Sequence, residues 1–306
     1  MVRASIRETG QRLRTAADAA ASNLPPLLVA ARRIAATVTL GSHGRRRAGP
    51  GEAFWQFRPY SRDDTPQSID WRQTGKLDVV FVREREWVAA QTVALWCDLS
   101  PSMHYSSHRN LPTKAERAAV LALALAELLA EGGERIMHLA ADGQPTPAAS
   151  GRVAVARMAD GLSATLARAA TATDNRIPQF MTPLPRHSTI VLIGDFLSPL
   201  EDIGASLRNL ARHGAIGHLL QVLDPAEETL PFSGRVRFVG LEQEGATIVE
   251  RTENARATYL ERLTAHRNGL KQIAAQAGWS FAVHHTDRAP QTALAALHQT
   301  IASYRR

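Results

Sequence analysis

An apolar run that stops on a carboxylate constrains this chain more than any other feature. Residues 93–97, VALWC, read as a buried strand and break off at Asp98-Leu99-Ser100-Pro101-Ser102. Three hard oxygen donors at alternate positions of one short loop suit Mg²⁺, which takes about six oxygens and keeps several waters. A second strand-like run, residues 189–193, ends in Gly194-Asp195. If the two strands are neighbours in a parallel sheet, Asp98 and Asp195 converge at its carboxyl edge, where open α/β folds bind ligands. A plainer reading of the same loop has Ser100 and Ser102 making side-chain-to-backbone turns.

The pair of acidic strand ends resembles the metal-ion-dependent adhesion site of von Willebrand factor A domains. The preceding segment narrows the likeness. Phe57-Arg58-Pro59-Tyr60-Ser61-Arg62-Asp63-Asp64, then Ser68-Ile69-Asp70-Trp71-Arg72, then Val82-Arg83-Glu84, resembles the bacterial family called domain of unknown function fifty-eight. Its members typically show R-x-Y-x-x-G-D-D-x-R-x-I-D-W, then a strand and the D-x-S-x-S loop. Asp63, Thr65 and Gln67 depart from that pattern, standing where the family has Gly, Asp and Arg.

The resemblance implies a von Willebrand A-like, Rossmann-like α/β fold with a mostly parallel sheet and helices on both faces. It implies a Mg²⁺ or Mn²⁺ ion on Asp98, Ser100 and Ser102, with Asp195 holding a coordinated water and one position open to a partner's carboxylate. It also implies a non-enzymatic adaptor or chaperone-like role beside a MoxR-type AAA+ ATPase. Von Willebrand A domains add a threonine from a third loop, commonly after glycine. Thr165, Thr171, Thr173 and Thr182 are available here, none in a Gly-Thr pair, so that ligand stays unassigned.

The alternative is a divalent-metal-dependent phosphoryl hydrolase using the same acidic edge. Dehalogenase-like phosphatases need D-x-D, the second carboxylate moving the proton, and Ser100 stands in that place. Neither a G-x-S-x-G elbow nor a G-x-x-x-x-G-K-[ST] phosphate loop is present. Arg58, Asp63, Asp64, Asp70, Trp71 and Arg72 form a second candidate, a partner-binding surface. Their other reading is an ion-pair cluster with Trp71 as a packing anchor. His284 and His285 alternate along a predicted strand, so the two face opposite ways and read as structural.

Charge divides the chain unevenly. Residues 1–50 hold nine arginines against Glu8 and Asp18, the whole net charge of +7. Lysine occurs only at Lys76, Lys114 and Lys271. The basic segment is expected to be a separable docking arm for an acidic partner or an anionic membrane surface, with nucleic acid disfavoured. A lone cysteine, Cys97, excludes an internal disulfide. No run approaches the roughly 18 apolar residues of a membrane span. A cytoplasmic protein, at most peripheral at the inner membrane face, is the expectation.

Three segments follow from this: residues 1–50, a basic helical segment and linker; 51–90, a β-rich subdomain; and 91–306, the α/β domain. Leu24-Pro25-Pro26 is read as splitting helices at 1–22 and 27–39, ahead of a linker at 41–47. Thr113 and Glu116 form a capping box for a helix through residue 130. Strands are predicted at 135–140, 189–193, 216–223 and 279–283, and helices at 153–168, 201–212, 254–277 and 291–304, with Gly278 ending the third. Residues 225–249 read as short β-like pieces.

Overall fold

The computed structural model describes residues 24–41, 54–60, 69–75, 79–85, 91–140, 144–169, 184–185, 187–212, 214–241 and 245–303. The chain forms two compact units, His43–Ala90 and the remainder.

In the larger unit, strands β3 (Thr92–Cys97), β4 (Arg135–Leu139), β5 (Ala149–Ser150), β6 (Thr189–Gly194), β7 (Ile216–Leu223) and β10 (Ser280–His285) make one sheet in the order β10-β7-β6-β3-β4-β5. Every pairing is parallel except the edge pair β4/β5. The strand interiors are continuous apolar runs because both faces are covered. Val93, Leu95 and Cys97 enter one hydrophobic cluster, while Ala94 and Trp96 enter another on the opposite face. That split follows from the two-residue period of a strand.

Helix α1 (Leu24–Gly41), α3 (Lys114–Glu131), α4 (Gly151–Ala169) and α8 (Pro290–Ser303) cover the first face. The second is covered by α5 (Leu200–Arg212) and α7 (Thr252–Gln276). Helix α3 is apolar nearly all round because it packs on the sheet, α1, α4 and α8 together. Thr113 caps it as predicted, its side chain and that of Glu116 each accepting the other's backbone N–H. Close approach requires glycine at position 217. A Cβ on Gly217 would lie 1.9 Å from the Trp279 ring, which packs across that strand.

The predicted boundary at residue 50 needs correction. Helix α1 begins at Leu24, with Pro25 and Pro26 in its first turn, where a missing N–H costs nothing. Ala31, Ile34 and Ala35 face inward at 0, 8 and 2 % exposure. Arg32 and Arg33 stay outside, and Arg32 Nε donates to Glu127 of α3 at 2.7 Å. So α1 is part of the larger unit's core, and a separable arm over all of residues 1–50 does not hold. The predicted helix at 1–22 lies outside the described residues, as does the linker beyond Gly41.

The smaller unit contains the antiparallel pair β1 (Phe54–Pro59) and β2 (Phe81–Arg85), with a helical turn, α2 (Trp71–Thr74), between them in sequence. Between β7 and α7 come a short helix, α6 (Pro225–Thr229), and the hairpin β8 (Val236–Val239)/β9 (Ala246–Val249). Among the described residues, no helix is long and apolar enough to cross a membrane.

Candidate functional site

Strands β3 and β6 are neighbours in register, Cys97 opposite Ile193. Their carboxyl ends therefore carry Asp98 and Asp195 to the same point of the sheet edge. The Asp98 backbone N–H donates to the Ile193 carbonyl at 2.8 Å, extending the pairing by one residue. Gly194 makes this approach available, since a Cβ there would sit 2.7 Å from the Asp98 Cβ. After Asp195 the backbone turns sharply through Phe196, at φ 53°, a left-handed conformation that costs an L residue on the order of 1–3 kcal/mol. Burial of the Phe196 ring beside Trp96 and a 2.7 Å bond between its carbonyl and His266 Nε2 hold the turn.

The four predicted residues form one chain of contacts. Asp98 Oδ1 accepts from the Ser100 N–H at 2.9 Å, and the Ser100 and Ser102 hydroxyl oxygens lie 3.2 Å apart. Ser102 donates to Asp195 Oδ2 at 2.8 Å. Asp195 is 1 % exposed and Asp98 9 %, while the two serines are half-buried. Burial, then the neighbouring Asp195 carboxylate, push the Asp98 carboxyl up to about 7, against opposing hydrogen bonds from Ser100 and the positive charge of Lys114.

Three further groups belong to this network. Lys114, fully buried at the first position of α3, donates from Nζ to Asp195 Oδ2 at 3.0 Å and to Glu227 Oε1 at 2.6 Å. Burial alone would lower the lysine pKa, but Asp195 and Glu227 more than offset it and the net shift is upward. Burial raises Glu227, with Lys114 opposing. Asp224, at the end of β7, accepts from the N–H groups of Ser107 (3.0 Å) and Ala226 (2.9 Å), while its own N–H donates to Glu227 Oε2. Asp224 and Glu227 form the capping box of α6. Three parallel strands thus each send a carboxylate to the same edge.

Sequence reasoning passed over Lys114 and the Asp224/Glu227 pair. The available signals were the D-P-A-E capping pattern after a predicted strand and a rare lysine in the first turn of α3. A cation there opposes the helix dipole, so it needs a local anion.

The donor set is chemically suited to a hard divalent ion. Asp98, Ser100 and Ser102 offer oxygen, and the Asp195 carboxylate lies beside them. Among the described residues, no three His, Cys, Asp or Glu side chains cluster at metal-binding spacing, so serine oxygens would have to complete the shell. Thr165 donates to the Gly161 carbonyl within α4. Thr171, Thr173 and Thr182 lie outside the described residues.

The second candidate surface is only partly described. Asp63 and Asp64 lie outside the described residues, and Arg58 lies in β1. Asp70 Oδ1 accepts from the Arg72 N–H at 3.1 Å. Trp71 is 69 % exposed, so it does not act as the expected packing anchor. His284 is buried and His285 bonds Glu228 at 2.8 Å, consistent with opposite-facing, structural roles.

The fold and edge together define an α/β protein with an acidic, hydroxyl-bearing loop at the carboxyl end of a mostly parallel sheet. The chain belongs to the family described as "Protein of unknown function DUF58", whose profile matches residues 56–269. No curated protein matches it. Among solved structures, it is similar to a conserved hypothetical protein BatB from Bacteroides thetaiotaomicron. That likeness has 17 % identity over 70 % of this chain and 98 % of the other, with a TM-score of 0.41. An aerotolerance-related membrane protein from Bacteroides fragilis NCTC 9343, carrying multiple mutations to serines, has 20 % identity over 70 % and 100 %, also at 0.41. Likenesses at this level carry no argument about activity.

Proposed function

We propose that the chain is a non-enzymatic interaction module whose carboxyl edge is its docking surface. A Mg²⁺ or Mn²⁺ ion held by Asp98, Ser100 and Ser102, with Asp195 behind them, would supply an open position for a partner's carboxylate. The observation that carries this reading is the convergence of Asp98 and Asp195 through Ser100 and Ser102, with the Asp98 carboxyl lifted to about 7. A buried carboxyl so poised takes up either a proton or a cation. The hydrolase alternative needs a second carboxylate able to carry a proton beside Asp98. Asp195 is instead committed to Lys114 and Ser102.

The partner we assign is a MoxR-type AAA+ ATPase, as the family resemblance implies. Co-purification of the chain with its cognate ATPase tests this directly. Retention should fall in chelator and in Asp98→Ala. Retention indifferent to both would move the interface elsewhere, with Arg58, Asp70, Trp71 and Arg72 as the next surface to mutate.

A further inference from the structure

Lys114 does more here than a buried ion pair normally does. It is fully buried, and its two partners come from different segments: Asp195 after β6 and Glu227 in α6. It shares Asp195 Oδ2 with Ser102, the last residue of the D-x-S-x-S loop. Asp195 Oδ1 accepts a long 3.4 Å bond from the Leu197 N–H. The shorter bond of the ammonium, 2.6 Å, runs to Glu227. An ammonium in contact with the acidic edge already does part of what a divalent ion would do there: it compensates buried negative charge.

We propose that Lys114 is a tethered cation of this edge that competes with a divalent ion for Asp195 and so sets the affinity of the site. In the absence of metal, the ammonium bridges Asp195 and Glu227 and keeps the edge folded. A divalent ion held by Asp98, Ser100 and Ser102 would draw on the charge of Asp195 and leave Lys114 to its shorter bond with Glu227. Nothing is transferred but electrostatic contact. Because Glu227 caps α6 and its carbonyl accepts from the Tyr259 hydroxyl of α7 at 2.8 Å, the exchange links the metal loop to two further elements. The inference rests on the reading of the edge as a cation site.

Calorimetric titration of the intact chain with Mn²⁺ and with Mg²⁺ tests it. Lys114→Gln keeps a hydrogen-bond donor but removes the charge. Its affinity should rise roughly tenfold or more over wild type, because a nearby positive charge no longer opposes the ion. Lys271→Gln removes one charge from an exposed position on α7 and should leave affinity unchanged. Asp98→Asn combined with Lys114→Gln should lose the gain, placing the ion on the loop. In thermal unfolding, Lys114→Gln should be less stable than wild type without metal and should recover in millimolar Mn²⁺.

Wild type that binds with Lys114→Gln no tighter overturns the tethered cation and leaves the cation-site reading standing. Binding by neither protein overturns both. Should Lys114→Gln fail to fold, Glu227→Gln takes its place. Lys114 is then committed to Asp195, and affinity should fall severalfold below wild type. An unchanged affinity would overturn the proposal.

Discussion

Single residues at the sheet edge have opposed jobs. Gly194 is small so that Asp98 can approach, and Asp98 is charged in a place that disfavours charge. Gly194→Ala would put a Cβ 2.7 Å from the Asp98 Cβ, both on backbone that the sheet holds fixed. We expect a loss of about 1–3 kcal/mol, the usual cost of overpacking a close-packed site, read as a lower urea midpoint. Asp98→Asn should act the other way in the absence of metal. The folded carboxyl titrates at about 7, whereas the unfolded one titrates near its ordinary value of 3.8. Between those pH values the folded state holds the extra proton, so this group's contribution to stability falls as pH rises and is lost above about 7. At pH 8 the neutral amide should therefore be the more stable, by about 1–3 kcal/mol. Thermal melts of both proteins at pH 5 and pH 8 would show the difference growing with pH. A constant difference would mean that Asp98 does not bury its charge.

Among the elements, α1 and α3 show how far local pattern reaches. The capping box of α3 was legible from Thr113 and Glu116 alone, because caps are satisfied by neighbours in sequence. The consequence of that cap was not legible. It starts the helix at Lys114 and so aims the ammonium into the edge. Helix α1 was predicted nearly in place, but its arginines suggested an arm, and the narrow stripe of Ala31, Ile34 and Ala35 was too small to argue otherwise. Its burial is a property of α3, whose surplus apolar surface needs a cover. Ala31→Asp would force a carboxylate into a fully buried position and should cost several kcal/mol, on the order of 3 or more, with aggregation on heating. Arg33→Glu on the exposed face should leave the melting temperature nearly unchanged. Equal effects from the two substitutions would return α1 to the status of a separable arm.

At the level of the whole molecule, three histidines are buried among the described residues: His138, His218 and His284. Burial lowers each of them to about 4 from an ordinary 6.5, with Arg117 adding to the effect at His284. All three are neutral in the folded protein near pH 7. Below about 6.5 the unfolded chain takes up protons that the folded chain refuses, so stability is lost as pH falls from about 6.5 toward about 4. Asp98 pulls in the opposite sense over part of that range, but three groups outweigh one. Urea midpoints should therefore drop between pH 7 and pH 5, and His138→Gln should make the drop shallower. A midpoint independent of pH across that interval would show that the folded histidines take up protons as readily as those of the unfolded chain.

The sequence by itself determined the buried apolar strands, the order of the main strands and helices from β3 onward, though neither the edge strand β5 nor the short helix α6, and the two carboxylates that end β3 and β6. Each is set by short-range rules: side-chain period, capping, and the point where an apolar run stops. The tertiary structure alone decided that a third strand end, with Asp224 and Glu227, joins them, that α1 covers the core rather than leaving it, and that Lys114 is buried between two acids. The physical reason is the same in each case. A buried charge or a thin apolar stripe is stable only against partners contributed by elements far away in sequence. Lys114 and Glu227 stand 113 residues apart, and no local pattern records that they meet.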